Sequence, residues 1–428
     1  MLSAQIKHEL RAIVGERHAL TDPADLATYA YDATHYTHTP DAVVVPASTD
    51  EVSAVLRLAS RERLPVVARG SGTSLCGGAT PIRGGVVLST ARLRRILNIN
   101  AARSCATAEP GVNTAEFMRA VETRGLFYPP DPSSQSVSTL GGNVAQGAGG
   151  PRGAKYGSLR DYVLGCDVIL ADGSRLRTGA NTVKNASGYD LTRLFVGSRG
   201  TLCFFSQLRL RLLPLPVARR LLLLPCADLA AAARLALAIT AAGLLPSRLE
   251  ALNDQAAAAA GAGQTSAILL CELDGSAPGV DRQAAIVARL AGAQSGEDRA
   301  GEAAEAIWNQ LQGWPTLARV QVPRDRLPAL LAKVGELGGT LRGDWGVVAG
   351  AGTGGVRLVA LPGTKDAGTE PEGSAPAAEF AALAGEFGLV RPAAEPAERL
   401  RRSLKSAFDP RGILNPLVPL APDGSQAR

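Results

Sequence analysis

The sequence lacks the cysteine spacing of a metal centre and any run long enough to cross a membrane. Its six cysteines stand singly, without a CxxC pair, which argues against iron–sulfur or structural zinc ligation and predicts buried thiols in a reducing compartment. No apolar run of membrane-spanning length is free of charge or proline, and the first ten residues mix charges where a signal peptide needs an apolar core. These absences predict a cytoplasmic protein.

Histidine is also scarce. The four histidines, His8, His18, His35 and His38, all precede residue 40. The rest of the chain therefore has no imidazole to offer as a general base of near-neutral pKa or as a metal ligand. We expect His35 and His38 to be surface or packing residues before the first strand. The alternative is a histidine that reaches a catalytic site from this N-terminal segment.

The size and charge of the chain set wide limits. With 428 residues, 46% of them hydrophobic, the chain is long enough for two or more domains with a large core. The net charge of +6 is scattered along the sequence, which disfavours a nucleic-acid-binding stripe. A mildly positive field suits anionic ligands such as phosphates and carboxylates.

A glycine-rich stretch at residues 69–79, RGSGTSLCGGA, is the most distinctive local feature. Glycine adopts positive φ at little cost and lets the backbone approach a ligand closely, so such a run can form an anion-binding nest. Its flanks, residues 63–68 and 84–90, have the pattern of buried strands, which excludes the strand–turn–helix order of a Rossmann fingerprint. No Lys-Ser/Thr follows the glycines, which excludes a Walker A loop. The alternative is a glycine-rich surface turn.

A second glycine-rich stretch occupies residues 139–150, TLGGNVAQGAGG. One interpretation is a flexible linker. The other is a segment that a flat ligand presses against, because Leu140, Asn143 and Val144 stand between structured flanks. Further along, Asp172–Gly173 predicts a hairpin turn.

Local patterns divide the chain further. Residues 48–51 are expected to cap one helix, and Asn113 or Thr114 is expected to begin another that ends at Arg124. Pro214 and Pro216 mark a domain boundary, after which residues 217–390 are rich in alanine and mix helices with strands. Residues 363–377 are expected to form a mobile loop, and residues 397–408 an amphipathic helix.

Five stretches in a fixed order carry a family resemblance: PVVARGSGTSLCGGA, PPDPSS, TLGGNVAQGAGGPRGAKYG, TVKNASGYDLTRLFVGSRGTL and FDPRGILNP. Together they resemble the flavoprotein family of vanillyl-alcohol oxidase and p-cresol methylhydroxylase. Within this family the sequence is most similar to glycolate oxidase flavoprotein subunits and D-lactate dehydrogenases. The resemblance covers residues 20–216 and 397–416.

The resemblance implies an α+β fold with non-covalently bound FAD. Residues 1–216 would form a two-subdomain FAD-binding domain of the p-cresol methylhydroxylase type, with its core at about residues 40–216. Residues 217–390 would form an α+β cap domain that binds substrate. Residues 391–428 would form a C-terminal helix and tail that return to the FAD domain. FAD should be non-covalent because Thr73 stands where covalently flavinylated relatives have histidine.

The resemblance also implies the cofactor-binding residues. For the pyrophosphate loop they are Arg69, Gly70, Ser71, Gly72, Thr73, Ser74 and Gly77. Those lining the cofactor and running along the flavin are Pro130, Asp131, Ser134, Thr139, Gly141, Gly142, Asn143, Gly149, Tyr156 and Gly157. Gly200 and Thr201 would lie near the adenine, and Asn415 near the ring.

The sequence departs from this family at the expected substrate site. Relatives that oxidise D-2-hydroxy acids carry a His-x-Gly-Asp-Gly-Asn-x-His segment in the cap, and the best match here, residues 350–357, has Gly350 and Arg357 at the two histidine positions. An accompanying Glu-His-Gly element has only a faint counterpart at residues 386–388. No metal is therefore expected. Arg357 is the catalytic candidate, as a bidentate partner of a substrate carboxylate, and the alternative is a solvent-facing strand residue.

Two functions follow from the resemblance. The first is FAD-dependent oxidation of a small D-2-hydroxy acid, such as glycolate or D-lactate, by hydride transfer to flavin N5. The second is an auxiliary FAD-binding subunit of a multi-subunit glycolate oxidase without turnover of its own. The partners implied are a small 2-hydroxy acid and, in a complex, a second flavoprotein subunit and an iron–sulfur subunit. Neither nucleic acid nor an integral membrane segment is expected.

Overall fold

The chain folds into two compact units. The computed structural model describes residues 2–34, 36–180, 182, 188–292, 297–336, 345–362, 380, 382–383 and 395–416. Unit 1 comprises Met1–Gly149, Ser158–Leu215 and Pro392–Arg428. Unit 2 comprises Gly150–Gly157 and Pro216–Arg391. Each unit is therefore built from separate stretches of the chain.

The helices in the described ranges are α1 Ala4–Val14, α2 Pro23–Ala27, α3 Thr49–Glu62, α4 Thr114–Glu122, α5 Leu140–Gln146, α6 Gly153–Tyr156, α7 Leu191–Phe195, α8 Leu229–Ala241, α9 Asp254–Ala259, α10 Ala277–Ala291, α11 Gly301–Gly313, α12 Leu327–Glu336 and α13 Glu395–Phe408. Short 3₁₀ turns occupy Glu16–His18, Leu159–Tyr162 and Arg324–Arg326.

The strands in these ranges are β1 Ala19–Leu20, β2 Ala42–Val44, β3 Val66–Arg69, β4 Val86–Ser89, β5 Ile96–Asn100, β6 Cys105–Ala108, β7 Leu126–Phe127, β8 Val163–Ile169, β9 Arg175–Gly179, β10 Phe204–Arg211, β11 Leu213–Pro214, β12 Ala218–Cys226, β13 Arg248–Asn253, β14 Ala267–Gly275, β15 Glu297–Arg299, β16 Thr316–Gln321, β17 Trp345–Gly350 and β18 Gly355–Ala360.

The first sheet of unit 1 has the order β1-β2-β4-β3. Strands β2, β4 and β3 run parallel, and β1 pairs antiparallel with β2. Because parallel strands are buried on both faces, their sequences are nearly continuous valine runs. Helix α3 begins where expected, since the Ser48 side chain accepts a hydrogen bond from Glu51 N, and it buries Val52, Val55 and Leu56. The glycine-rich loop thus joins β3 to β4 without a helix, as predicted.

The second sheet of unit 1 is antiparallel, in the order β5-β6-β10-β8-β9. Its β8–β9 hairpin turns at Asp172 and Gly173, and Gly173 has φ +80°, which confirms the predicted hairpin. Helix α4 begins at the predicted cap, because the Asn113 side chain accepts from Glu116 N, but it ends at Glu122, two residues earlier than expected. A short β7–β11 pair completes unit 1.

Unit 2 is organised around an antiparallel sheet in the order β15-β12-β14-β13-β17-β18-β16. Side chains alternate between its two faces along each strand. One face, which includes Leu249 and Ala251, packs against α8, α10 and α12 in a large apolar cluster. The opposite face is apolar only in part: Leu252 and Ile268 pack with residues of α9 and α11. The remainder of that face is polar.

The structure corrects the expectation for the cysteines and covers the expectation for the histidines only in part. The cysteines are free, but they are not all buried thiols, because Cys76 in the glycine-rich loop is exposed; glycine neighbours give its side chain little cover. His38 is exposed, whereas His35 lies outside the described residues, as do the expected loop at residues 363–377 and the element at residues 386–388. None of the helices in the described ranges combines the length and apolar character needed to cross a membrane.

Candidate functional site

The glycine-rich loop is closed by Arg69, the last residue of β3. Its Nη1 donates to the carbonyl oxygens of Tyr31 (2.6 Å) and Ala79 (3.1 Å), and the side chain is buried. Burial lowers the pKa of Arg69, and the nearby Asp32 carboxylate opposes this shift. The guanidinium remains charged. Arg69 therefore ties the start of the loop to its end and to the segment before β2.

The loop exposes amides where an anion could bind. Gly72 has φ +73°, and a Cβ at this position would lie 2.3 Å from Arg69 Nη2. The Ser74 hydroxyl accepts hydrogen bonds from the amides of Cys76 and Gly78, both at 3.2 Å. No described residue accepts a hydrogen bond from the amides of residues 71–74. Successive unpartnered N–H groups in such a turn form a nest for phosphate or carboxylate oxygens.

Residues 140–146 of the second glycine-rich stretch form helix α5 and not a linker. The Thr139 hydroxyl caps it by accepting from Gly142 N (3.3 Å), and Asn143 Nδ2 donates to the Thr114 hydroxyl (2.7 Å). Gly141 is required by packing, because a Cβ there would lie 2.5 Å from Pro110 Cβ and 2.9 Å from its carbonyl oxygen. The glycines concealed a helix that depends on its cap and on close packing.

Direct contacts bring these two stretches together. A Cβ at Gly70 would lie 2.3 Å from the Thr139 hydroxyl, and one at Gly78 would lie 2.3 Å from Gln146 Nε2. The Ser71 hydroxyl donates to the carbonyl of Val137, in the loop that precedes Thr139. Small residues in the first stretch thus let it lie directly against the cap and the end of α5.

A third segment, residues 197–201, joins the end of α5. The amides of Gly197 and Arg199 donate to the carbonyls of Val144 (2.9 Å) and Ala145 (2.7 Å). Thr201 donates from its hydroxyl to Ser198 O (2.6 Å), which closes a tight turn around Gly200, whose φ is +70°. Within the stretch TVKNASGYDLTRLFVGSRGTL, residues 183–187 lie outside the described residues.

Asn415, near the end of the described chain, connects the glycine-rich loop to residues 197–201 and to β3. Its Nδ2 donates to the carbonyls of Gly78 (2.8 Å) and Arg199 (2.6 Å), while its amide donates to Val66 O (2.7 Å) in β3. Its backbone has φ +43°, a conformation that asparagine tolerates better than most residues. Its Oδ1 is buried and finds no hydrogen-bond donor among the described residues.

The FDPRGILNP stretch holds Asn415 in place. Asp409 accepts from the amides of Ile413 (3.0 Å) and Leu414 (2.8 Å), and Lys405 Nζ lies 2.5 Å from its carboxylate. The same ammonium donates to Thr201 O (2.7 Å) and Leu414 O (2.6 Å). Burial lowers the pKa of Lys405, and Asp409 opposes this shift. The sequence analysis assigned roles to Thr201 and Asn415 but missed Lys405 and Asp409. The only sequence feature that indicates these two residues is the Asp-Pro pair directly after the predicted C-terminal helix.

The remaining cofactor candidates are spread over both units. Pro130 and Asp131 are buried in unit 1, and the carbonyl of Ser134 accepts from Val137 N (3.0 Å) and Ser138 N (2.7 Å). Gly149 is the last residue of unit 1 before the chain enters unit 2. Tyr156 and Gly157 belong to unit 2, where the Tyr156 hydroxyl donates to Asp274 Oδ2 (2.7 Å).

In unit 2, charged side chains fill the polar part of the sheet face. Arg248 Nη1 donates to Glu272 Oε2 (3.2 Å) and stacks on Trp308, with 4.8 Å from its Cζ to the ring centroid. Burial would raise the pKa of Glu272, but Arg248 and the other nearby arginines, with the Ser247 hydroxyl, hold it below its ordinary value. These are buried, paired charges on neighbouring strands.

Arg357 lies on the same face, in β18, and is not the solvent-facing residue of the alternative interpretation. Its side chain is half-buried, and Nη2 lies 3.5 Å from the carbonyl oxygen of Leu311 at the end of α11. Burial lowers the pKa of Arg357, which Glu250 opposes and Arg319, its direct cross-strand neighbour, reinforces. Sequence alone could not show that α11 would cover this strand.

Two family models match this chain. The model described as "FAD binding domain" covers residues 40–179, and the model described as "FAD linked oxidases, C-terminal domain" covers residues 215–388. Glycolate oxidase subunit GlcD of Escherichia coli (strain K12) is 33% identical over 89% of this chain and 84% of its own length. The chain belongs to the FAD-linked oxidase family. Its cofactor is FAD.

Two further comparisons define the extent of this relationship. Glycolate oxidase subunit GlcD of Bacillus subtilis (strain 168) is 46% identical over 59% of this chain, and the match spans 54% of that relative's length. The structure of p-cresol methylhydroxylase with bound substrate superposes with a TM-score of 0.75 at 16% identity, covering 96% of this chain and 95% of that chain. The expected α+β fold of the p-cresol methylhydroxylase type is therefore confirmed.

The residues of unit 1 fit this cofactor. The unpartnered amides of residues 71–74 are suited to a pyrophosphate. The buried Asn415 Oδ1 and the buried Ser198 hydroxyl have no hydrogen-bond partner among the described residues. Because buried polar atoms are rarely left unpaired, both indicate a polar ligand. In the described ranges, no three His, Cys, Asp or Glu side chains approach as a possible metal site.

Proposed function

We propose that this protein is an FAD-dependent oxidoreductase that oxidises a small D-2-hydroxy acid of the glycolate or D-lactate type. One observation carries the proposal: the glycine-rich loop and residues 197–201, which Asn415 joins, belong to a chain that matches a glycolate oxidase subunit over most of its length. The individual roles below remain proposals. We also propose a cytoplasmic location.

The cofactor-binding roles are distributed over unit 1. Residues 69–77 hold the pyrophosphate through backbone amides, with Arg69 fixing the loop. Thr139, Gly141, Gly142 and Asn143 present the flank of α5 to the flavin, where the absence of side chains at the glycines permits close approach. Asn415 Oδ1 accepts a hydrogen bond from the bound cofactor. Bound flavin supplies a two-electron acceptor for the hydride of the substrate C2.

In the cap, the domain expected at residues 217–390, Arg357 is proposed to bind the substrate carboxylate. A guanidinium can donate two parallel hydrogen bonds to a carboxylate, and a partly desolvated one binds more strongly than an exposed one. The Arg357 guanidinium is available to bind such a carboxylate, because its contact with Leu311 O is long at 3.5 Å. The proton acceptor is a carboxylate, lysine or tyrosine, or a histidine that reaches the site from the N-terminal segment, because no histidine follows His38.

The second candidate is an auxiliary FAD-binding subunit. Glycine and arginine replace the two histidines expected at Gly350 and Arg357, and this observation favours the auxiliary function. The curated relatives are named as subunits of glycolate oxidase. In this case the chain would act together with a second flavoprotein subunit and an iron–sulfur subunit.

An anaerobic absorbance measurement separates the two candidates. The purified holoprotein is mixed with glycolate, D-lactate or D-2-hydroxyglutarate. Bleaching of the flavin bands in the wild type, with bleaching lost in Arg357→Met and partly kept in Arg357→Lys, supports the first proposal. A flavin that remains oxidised with all three acids rejects independent turnover and supports the auxiliary function. Protein that binds no FAD contradicts both.

A further inference from the structure

Two buried polar atoms of unit 1 that lack a hydrogen-bond partner among the described residues lie on segments in direct contact. One is Asn415 Oδ1, on a residue that is 2% exposed, and the other is the Ser198 hydroxyl, in the turn at residues 198–201. Asn415 Nδ2 donates to Arg199 O (2.6 Å), and a Cβ at Gly200 would lie 3.7 Å from the same nitrogen. The Asn415 side chain therefore packs on the turn that carries Ser198.

Lys405, in α13, links the same two segments. Its Nζ donates to Thr201 O (2.7 Å), at the end of the turn, and to Leu414 O (2.6 Å), directly before Asn415. Its third contact is the carboxylate of Asp409, at 2.5 Å, and this carboxylate is fully buried. An ammonium has three N–H donors, and here each of them has an acceptor. Lys405 is therefore saturated by the protein and acts on the positions of its neighbours.

Both segments adopt backbone conformations that need support from their surroundings. Arg199 and Gly200 are consecutive residues in the left-handed region, with φ +55° and φ +70°, and Asn415 has φ +43°. A residue other than glycine persists there only where its surroundings hold it. The Asn415 side chain and the Lys405 ammonium hold the turn, in addition to its bonds to the end of α5. Loss of the ammonium would therefore let the turn move relative to Asn415.

The chemistry of the two unpartnered atoms suits a ligand that carries a donor beside an acceptor. Asn415 Oδ1 can only accept a hydrogen bond, whereas the Ser198 hydroxyl can donate one and accept others. FAD presents such neighbouring groups at the edges of its two heterocycles and along its hydroxylated chain. A bound FAD could therefore satisfy both atoms, which otherwise remain buried without a partner.

We propose that Ser198 and Asn415 bind FAD together and that Lys405 is the positioning residue that fixes their spacing. The proposal rests on the contact between Asn415 Oδ1 and the cofactor proposed above, and all of its residues belong to unit 1. A cofactor that meets a preset pair of groups loses less binding free energy than one that must draw two segments together. Affinity for FAD therefore depends on Lys405, although its ammonium makes no contact with the cofactor.

Ser198→Ala tests the binding pair. The measured quantity is the FAD dissociation constant of the full-length chain, from flavin fluorescence without substrate and well below the melting temperature. Because the Ser198 hydroxyl has no partner among the described residues, its removal should leave the melting temperature nearly unchanged. FAD binding should weaken about threefold to tenfold, the effect of losing one hydrogen bond.

Lys405→Met tests the positioning role, with an expected weakening of FAD binding of about tenfold. In a chain that already carries Ser198→Ala and Asn415→Gly, the same substitution should weaken FAD binding no further, because the contacts through which it acts are gone. It should still lower the melting temperature there. If Lys405→Met does not fold, the double variant Lys405→Met/Asp409→Asn takes its place, since it leaves no unpaired buried carboxylate.

The matched control is Arg209→Met. Arg209 is also a buried cation of unit 1: Nη1 pairs with Asp167 Oδ1 (2.6 Å) and Nη2 donates to Thr178 O. In the described ranges it makes no hydrogen bond to residues 198–201 or to Asn415. The control should lower the melting temperature, as loss of a buried pair does, and leave FAD affinity within about twofold.

The outcomes separate the positioning role from the cofactor contact beneath it. Wild-type FAD affinity in folded Lys405→Met, or equal weakening in Lys405→Met and Arg209→Met, would make Lys405 purely structural and overturn the proposal. Wild-type affinity in both Ser198→Ala and Asn415→Gly would remove the cofactor contact itself, and the proposal with it. Substrate is absent from these titrations, so a failure to oxidise hydroxy acids does not affect the outcome.

Discussion

The two units present different chemistry at their candidate sites. In unit 1 the site is made of backbone: amides of residues 71–74, glycines packed against neighbours, and carbonyls joined by Asn415. In unit 2 the polar part of the sheet face is made of charged side chains, with Arg248 and Glu272 paired at 3.2 Å. The backbone site depends on small residues at fixed positions, whereas the side-chain site depends on charge balance.

This difference predicts that a sequence can keep a site made of backbone while a site made of charged side chains changes. A larger side chain at a site made of backbone would displace several segments at once, because Asn415 contacts Gly78, Arg199 and Val66. A sheet face made of charged side chains tolerates substitutions as long as each buried charge keeps a partner of opposite charge. The four predictions below test this contrast in order of expected effect.

The largest effect is expected from breaking the charge balance of unit 2. Glu272→Gln leaves Arg248 buried without its carboxylate and should cost about 3–5 kcal/mol of unfolding free energy, as for other broken buried pairs. The control is Asp298→Asn, because Asp298 pairs with Arg220 at the surface and should contribute little. Denaturant unfolding measures both. Equal, small losses would show that the buried pair does not matter more than the exposed one.

The same pair predicts a pH dependence. The pKa of Glu272 is held below its ordinary value of 4.5, so its contribution to stability is complete above that pH. As the pH falls from 4.5 toward the folded-state pKa, the unfolded chain takes up a proton first and stability is lost. In the Glu272→Gln variant this part of the acid dependence should disappear. An unchanged acid profile between the two proteins would contradict the depressed pKa.

An intermediate effect is expected at adjacent glycines of α5. Gly141→Ala places a methyl group against the Pro110 backbone and should destabilise the protein by about 1–3 kcal/mol. Gly142→Ala meets only the Thr139 hydroxyl, at 3.1 Å, and should leave the melting temperature nearly unchanged while weakening FAD binding if Gly142 lies against the flavin. Thermal unfolding and FAD titration of both variants measure this. Unweakened FAD binding in Gly142→Ala would remove that residue from the site.

The smallest effect on stability is expected at Asn415, where two variants separate the backbone conformation from the side-chain hydrogen bonds. Asn415→Gly keeps the backbone conformation at φ +43° but loses the bonds to Gly78 and Arg199, while Asn415→Ala loses both properties. We expect the alanine variant to be less stable than the glycine variant by up to about 1 kcal/mol, with FAD affinity reduced in both. Equal FAD affinity in wild type and both variants would show that Oδ1 does not contact the cofactor.

Sequence patterns predicted the local parts of unit 1 well. The strands around the glycine-rich loop, the Asn113 cap and the hairpin at Gly173 follow from residues that are near neighbours in sequence. Helix α5 was missed because two glycines suppress helix propensity, and its stability depends on Thr139 and on distant Pro110.

The long-range parts of the sites required the structure. Nothing in the sequence shows that Lys405 reaches Thr201, or that Asp274 contacts residues 118 and 119 positions earlier. Arg357 was singled out for its motif position, but its burial depends on α11, a helix whose docking no local pattern specifies. Residues that contact each other across the fold have no fixed spacing in the sequence by which such contacts could be predicted.

The placement of Asn415 also has a consequence for biosynthesis. Its amide bonds to Val66 and its side chain bonds to Gly78, both more than three hundred residues earlier in the chain. A nascent chain can form β3, the glycine-rich loop and the turn at residues 197–201 early, but the residue that joins them leaves the ribosome only after all of unit 2. The contacts that Asn415 makes with these segments can therefore form only after unit 2 has been synthesised, and chains that stop before residue 415 lack them.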